Sequence, residues 1–95
     1  MEPVLSTDPV LPPPGYLAGV RRLCDEYGAL LVFDEVVTGF RAGIPGYPTD
    51  VRADLYCYGK ALANGFPLSA LVGPRETMQR IERDVFFSTT FGGEA

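Results

Sequence analysis

The sequence predicts an α/β fold with a mostly parallel sheet and flanking helices. Residues 15–27 place apolar side chains at three- and four-residue intervals with charged residues between them, which is typical of an amphipathic helix. Gly28 follows this segment and is a suitable C-terminal cap. Residues 29–33 then form a continuous apolar run, as expected of a strand that is covered on both faces of a parallel sheet. A helix that leads into such a strand is half of an α/β unit.

The remaining segments continue this pattern along the chain. Residues 6–14 hold four of the nine prolines and predict an extended connecting segment without helix or strand. Further strands are predicted at residues 54–58 and 69–73, and a helix at residues 74–82 with proline in its first turn. A long loop at residues 38–53 alternates glycine and proline, and loops of this length in compact domains are usually functional or mobile.

Length and composition restrict the classes of protein that fit. Ninety-five residues allow one small domain and no second one. Neither end of the chain coincides with the start or end of a predicted element, so we expect residues 1–95 to be part of a larger domain. The composition, with 46% hydrophobic and 21% charged residues, is that of a globular protein.

Charge and hydropathy exclude further classes of partner. The net charge of −4 and the absence of a basic stripe argue against nucleic-acid binding. No apolar stretch reaches the roughly 18 residues needed to span a membrane, and no signal peptide is evident, so we expect a cytoplasmic protein without a membrane partner. Cys24 and Cys57 are 33 positions apart in a chain without histidine, which favours two buried thiols over a disulfide or a metal site.

Two residues carry most of the chemical information. Asp34 ends the first predicted strand, and Lys60, the only lysine, follows 26 residues later among glycine, proline and small residues. In open parallel sheets, ligands bind beyond the carboxyl ends of the strands. A carboxylate there keeps a pyridine nitrogen protonated, which makes the ring an electron sink. A lysine amine condenses with an aldehyde and then acts as a base. The alternatives are a capping role for Asp34 and a surface turn for Lys60.

A second interpretation of Asp34 and Glu35 is a Walker B strand end. Four apolar residues followed by Asp-Glu are typical of nucleotide hydrolases, in which these carboxylates hold magnesium and orient water. That function requires a phosphate loop with the pattern GxxxxGK[ST]. Gly59 and Lys60 are followed by Ala61, and Asp54 stands where the first glycine is needed. The phosphate loop is therefore absent from these 95 residues.

The ordered motifs resemble the class III pyridoxal-phosphate-dependent aminotransferases over nearly the whole chain. The similarity rests on LVFDEVVTGFR at residues 31–41, YGK at residues 58–60 with GFP at residues 65–67, and TTFGG at residues 89–93. The continuation TGFR is most similar to the glutamate-1-semialdehyde 2,1-aminomutase branch. The resemblance implies that residues 1–95 are part of the large domain of a fold-type I transferase. Tyr58 departs from the family pattern, in which leucine or serine is usual before Gly-Lys.

The resemblance also implies a set of cofactor-binding residues. Asp34 matches the aspartate that pairs with the pyridine nitrogen, and Val36 matches the residue packed on one ring face. Lys60 matches the catalytic lysine that is bonded to the cofactor. Thr90 matches the threonine that reaches the cofactor phosphate, from the neighbouring subunit in family dimers. Arg41 is a candidate for binding a substrate carboxylate through two parallel hydrogen bonds, with a loop anchor as its alternative role.

The implied function is that of a transaminase or aminomutase with pyridoxal 5'-phosphate as cofactor. Its partners would be a small-molecule amino donor and a keto or aldehyde acceptor, and the full-length protein would be a homodimer. A residue set this small lacks several contacts that a tight cofactor site needs, so we expect the isolated chain to be inactive. The alternative is a non-catalytic remnant or a fragment used for association.

Overall fold

The computed structural model describes residues 1–8 and 10–86. Within them, the chain forms three strands, three short or medium α-helices and one turn of 3-10 helix. In chain order these are α1 (Tyr16–Tyr27), β1 (Val32–Asp34), β2 (Leu55–Tyr58), a 3-10 helix (Lys60–Leu62), β3 (Ala70–Val72), α2 (Arg75–Met78) and α3 (Ile81–Asp84). No helix within this part of the chain has both the length and the apolarity needed to cross a bilayer.

Helix α1 begins one residue after the predicted start and buries only part of its predicted apolar side, since Leu17 is buried but Tyr27 is 77% exposed. It ends at Gly28, whose φ of 64° is left-handed and whose N–H donates to the Cys24 carbonyl. A left-handed C-cap is accessible to glycine without steric cost, which explains why the helix stops there. Leu17 is the buried residue of the helix, while Tyr27 and the charged residues of the opposite face are exposed.

The three strands form one mixed sheet in the order β1-β2-β3. Strands β1 and β2 are parallel, with Val32 opposite Leu55 and Asp34 opposite Cys57. The predicted α/β class is confirmed, but β3 runs antiparallel to β2, with Tyr58 opposite Ala70. The connection between β2 and β3 holds only one turn of 3-10 helix, and a parallel return requires a longer crossover.

The hydrophobic core lies between α1 and one face of the sheet. Leu17, Leu31 and Phe33 are buried in it. Phe33 packs edge-on against Tyr56 of the neighbouring strand, with ring centroids 5.9 Å apart. Partly buried side chains complete this core: Val20, Cys24, Tyr47, Val51, Ala53 and Tyr56. Cys24 and Cys57 are both free thiols and partly buried, in agreement with the prediction from their spacing.

The other face of the sheet meets α2 and α3. Leu55 and Leu71 border a cavity of about 580 Å³ together with Ile81 of α3. The sequence predicts one helix at residues 74–82, but the structure divides this region into two short helices of four residues each. Pro74 precedes the first of them, as expected from its preference for helix N-termini.

One charged side chain connects α1 to the starts of the strands. Asp54 accepts hydrogen bonds from the Arg21 guanidinium at 2.8 Å and from the Leu31 backbone N–H at 2.7 Å. Arg21 also forms a salt bridge at 2.7 Å with Asp25, which is one helical turn away and largely exposed. The hydrogen bond from Arg21, followed by that from Leu31, holds the pKa of the Asp54 carboxyl below its usual value.

We expect Asp54→Asn to lower the free energy of unfolding at neutral pH by about 1–2 kcal/mol, because a neutral amide binds Arg21 and the Leu31 N–H more weakly. Folding lowers the pKa of Asp54, so the ionised carboxylate stabilises the folded protein fully at pH values above the unfolded-state pKa of about 3.9. This stabilisation is lost as the pH falls through the lower pKa of the folded state. The difference in unfolding free energy between the two proteins, measured by urea denaturation, should therefore shrink progressively as the pH falls below about 3.9.

The matched control is Asp25→Asn, which removes the exposed partner of the same guanidinium. Exposed ion pairs contribute little, so this variant should differ from the unmodified protein by about 0.5 kcal/mol or less. Equal losses for the two variants would contradict the central role of Asp54. A stability difference between the unmodified protein and Asp54→Asn that does not depend on pH would contradict it as well.

Candidate active site

The parallel pairing of β1 and β2 places Asp34 and Lys60 at the same edge of the sheet. Asp34 is the last residue of β1 and lies opposite Cys57, and Lys60 comes three residues after Cys57. The structure thus brings together two residues that are 26 positions apart in the sequence, at the carboxyl ends of adjacent strands.

Asp34 is a half-buried carboxylate with a defined orientation. Its Oδ1 accepts a hydrogen bond of 3.1 Å from the Val36 backbone N–H, and its own N–H donates to the Met1 carbonyl at 2.8 Å. None of the residues that the structure describes forms a salt bridge with Asp34. The pKa of the Cys57 thiol is raised mainly by burial and also by the nearby negative charge of Asp34. A carboxylate in this setting can accept a hydrogen bond from a ligand.

Val36 lies at the same edge, against the peptide that precedes Lys60. A Cβ atom placed on Gly59 would lie 3.5 Å from one methyl group of Val36 and 3.8 Å from the other. Gly59 is buried, so the Val36 side chain covers its backbone. Asp34, Val36 and Gly59, the residue before Lys60, therefore lie together at this end of the sheet.

Lys60 is exposed and has an uncommon backbone conformation. Its φ of 42° is in the left-handed region, which costs about 1–2 kcal/mol for a residue that carries a Cβ. The carbonyl of Lys60 accepts hydrogen bonds from the N–H groups of Ala63 and Asn64 at 3.2 and 3.1 Å. Asn64 and Gly65 also have positive φ values, of 48° and 103°. The residues around Lys60 therefore form a tight turn that fixes its position.

Glu35 is a buried carboxylate that the sequence motif includes without a role. It is only 2% exposed, and both of its carboxylate oxygens lie 3.1 Å from the Tyr47 N–H, while the Thr38 hydroxyl also donates to it. A Cβ on Gly46 would lie 2.5 Å from a Glu35 oxygen, so the loop backbone approaches the carboxylate closely. Glu35 thereby attaches the long loop of residues 38–53 to the end of β1.

Two other residues of this region have local contacts. The Arg41 guanidinium donates to the Val37 carbonyl at 3.2 Å and is exposed, which is the contact expected of a loop anchor. Tyr58 is buried and packs against Gly39. Burial is the main cause of the raised pKa of its hydroxyl, and the negative charge of Glu35 adds to it. Thr90, the candidate phosphate ligand, lies outside the described residues.

Comparison with known proteins identifies the family. A family model described as Aminotransferase class-III matches residues 1–95. Glutamate-1-semialdehyde 2,1-aminomutase of Methanothrix thermoacetophila is 47% identical over 98 aligned positions, which cover 98% of this chain and 23% of the relative. The chain therefore belongs to the class III aminotransferase family, and its expected similarity to the aminomutase branch is confirmed. It spans about a quarter of the length of this relative.

Solved structures show the same fold. An ornithine aminotransferase from Plasmodium yoelii superposes with a TM-score of 0.81 at 34% identity, over 97% of this chain and 26% of that one. A structure described as a transaminase with PLP bound superposes with a TM-score of 0.80 at 28% identity, over 95% of this chain and 23% of that one. The described part of the chain thus has the fold expected for a fold-type I transferase.

We expect Lys60→Gly to be more stable than Lys60→Ala by about 1 kcal/mol, because glycine adopts the left-handed conformation without steric cost and alanine does not. Urea denaturation of the two variants measures this difference. Ala61→Gly is the matched control, since Ala61 lies in the following 3-10 turn without a positive φ and should lose about 0.5–1 kcal/mol. A Lys60→Ala protein at least as stable as Lys60→Gly would contradict the strain at this residue.

Proposed function

We propose that residues 1–95 belong to a longer protein, called the parent protein below, that is a pyridoxal-phosphate-dependent transaminase or aminomutase. It would move an amino group between a small-molecule amino donor and a keto or aldehyde acceptor, or within one molecule. The observation that carries the proposal is the position of Asp34 and Lys60 at one edge of two adjacent parallel strands, in a chain of the class III aminotransferase family. Family membership also favours this function over nucleotide hydrolysis.

The residues at this edge fit pyridoxal phosphate. Asp34 is a half-buried carboxylate that is held by one backbone N–H and has no salt-bridge partner among the described residues. Lys60 presents an exposed primary amine three residues beyond the strand position opposite Asp34. Val36 supplies an apolar surface between them. An anionic acceptor, an apolar contact and an amine are the groups that a protonated heterocycle bearing an aldehyde requires.

Each residue has a separate chemical role in this proposal. Lys60 holds the cofactor through its amine and, when released by an amino substrate, takes and returns the proton at the substrate α-carbon as a general base. Asp34 accepts a hydrogen bond from the ring nitrogen, and its negative charge favours the protonated ring. Val36 packs on the ring and limits its movement. The bound cofactor supplies an aromatic ring that withdraws electrons from the α-carbon.

We further propose that residues 1–95 are part of the large cofactor-binding domain of a homodimer. The support is the coverage of about a quarter of the relative, together with the motif TTFGG at residues 89–93. In this arrangement, Thr90 of one subunit reaches the cofactor phosphate bound by the other. A symmetric pair is the commonest oligomer, and it allows both sites to be completed in the same way.

Reduction with borohydride tests the role of Lys60. The parent protein, incubated with pyridoxal phosphate and then reduced, should carry the added cofactor mass on the peptide that contains Lys60, because reduction makes the lysine linkage permanent. Peptide mapping by mass spectrometry measures this. Lys60→Ala should lose the label and the turnover, while Arg75→Ala, an exposed cation of α2, should keep both. Labelling at another residue, or full turnover of Lys60→Ala, would end the assignment.

Cofactor binding by the 95-residue chain alone shows whether these residues form a complete cofactor site or need the rest of the parent protein. We expect its affinity for pyridoxal phosphate to be at least about a hundredfold lower than that of the parent protein, because binding depends on several preorganised contacts acting together. Equilibrium dialysis of both proteins measures the two dissociation constants. Tight stoichiometric binding by the short chain would show that these residues hold the cofactor without the rest of the protein. No binding by the parent protein would favour a non-catalytic remnant.

A further inference from the structure

The residue before Gly59 and Lys60 is tightly enclosed. Tyr58 ends β2 and is only 7% exposed, although it carries one of the larger side chains. Its ring lies against the backbone of Gly39, where an added Cβ would be 2.7 Å from Cδ1 and 3.0 Å from Cε1 of Tyr58. Gly39 therefore supplies the space that the larger side chain occupies.

Two further aromatic rings hold Tyr58 in this position. The ring of Tyr56 is nearly parallel to it, with an interplanar angle of 6° and centroids 6.3 Å apart. The ring of Phe40 lies 5.5 Å away at an angle of 57°. Phe40 is itself fixed by a hydrogen bond of 3.0 Å from its N–H to the Pro45 carbonyl. Aromatic contacts at these distances stabilise by about 0.5–1.5 kcal/mol each, beyond the burial of their area.

The next residue is held from a second direction. Gly59 is buried, and the methyl groups of Val36 lie at contact distance from the position of its missing Cβ. Contacts with Gly39 and Phe40 thus fix the chain at Tyr58, and contact with Val36 fixes it at Gly59. The left-handed residue Lys60 follows immediately. The backbone from which the lysine side chain extends consequently has little freedom to move.

We propose that Tyr58 is a positioning residue for Lys60, and that it acts through the packing of its ring. This inference rests on the function proposed above. Within the described residues the Tyr58 hydroxyl forms no hydrogen bond, whereas the ring contacts Gly39, Phe40 and Tyr56. The ring therefore fixes the backbone from which the Lys60 side chain extends, so that the cofactor is bound without a cost for ordering this turn.

The test compares Tyr58→Leu, Tyr58→Phe and Leu17→Ala in the parent protein. Two measurements are made: the dissociation constant of pyridoxal phosphate, and hydrogen–deuterium exchange of the cofactor-free protein in the peptide that spans residues 59–61. Tyr58→Leu should weaken cofactor binding about tenfold and accelerate the exchange, because a misplaced lysine binds poorly. Tyr58→Phe should keep both values within about twofold, since it retains the ring.

Leu17→Ala is the matched control, because it truncates a buried core side chain of α1 that is not among the residues packed against the Tyr58 ring. It should lower the thermal stability to a similar extent and leave the dissociation constant within about twofold. If Tyr58→Leu does not fold, Tyr58→Met, whose side chain has nearly the same volume but is flexible enough to fill an irregular space, replaces it with the same expected result.

The outcomes separate the two proposals. Cofactor binding by Tyr58→Leu at the level of the unmodified protein would overturn the positioning role. An equal loss of binding in Leu17→Ala would also overturn it, since the effect would then follow stability alone. If the unmodified parent protein is not labelled at Lys60 after borohydride reduction, the proposed function fails instead, and this result is independent of the variants.

Discussion

The parallel register of β1 and β2 is the constraint on which the candidate site depends. Asp34 lies opposite Cys57, and the ladder continues for one more residue through a hydrogen bond of 2.9 Å from the Glu35 N–H to the Cys57 carbonyl. Because the two strands point the same way and end together, the segments that follow them leave from one edge. A shift of the register by one residue would turn Asp34 to the opposite face and bring Glu35 to its place. The hydrophobic core opposes such a shift, since Phe33 would leave it at the same time.

The alternation of side chains along β1 gives two adjacent carboxylates different roles. Glu35 points to the face of Phe33 and is buried, and its hydrogen bonds to the Tyr47 N–H and the Thr38 hydroxyl offset the cost of burying a charge. Asp34 points to the other face, where it keeps access to a ligand. The buried neighbour attaches the long loop, and the accessible one is left for chemistry. Residue type alone does not distinguish them, because both are acidic and consecutive.

Local rules were sufficient for some elements and insufficient for others. The end of α1 at Gly28 follows from periodicity and a left-handed cap, and the position of Asp34 and Lys60 at one end of the sheet follows from the geometry of parallel strands. The antiparallel direction of β3 does not follow from local rules, because an apolar run does not show in which direction a strand runs relative to its neighbour. The roles of Glu35 and Tyr58 depend on contacts with the loop of residues 38–53, which are distant in sequence and follow no period. Such contacts become visible only when the loop is placed on the sheet.

The conformation of Lys60 links these observations to function. A left-handed lysine is unfavourable by itself, so it persists only if the surrounding contacts hold the backbone on both sides. On the N-terminal side of Lys60, the backbone is held by the Tyr58 ring, which packs directly against Gly39. Any side chain at position 39 would collide with this ring. The strain is therefore localised at the residue whose amine is proposed to react. A backbone that is already ordered loses less entropy when the lysine binds its partner, which offsets part of the conformational cost.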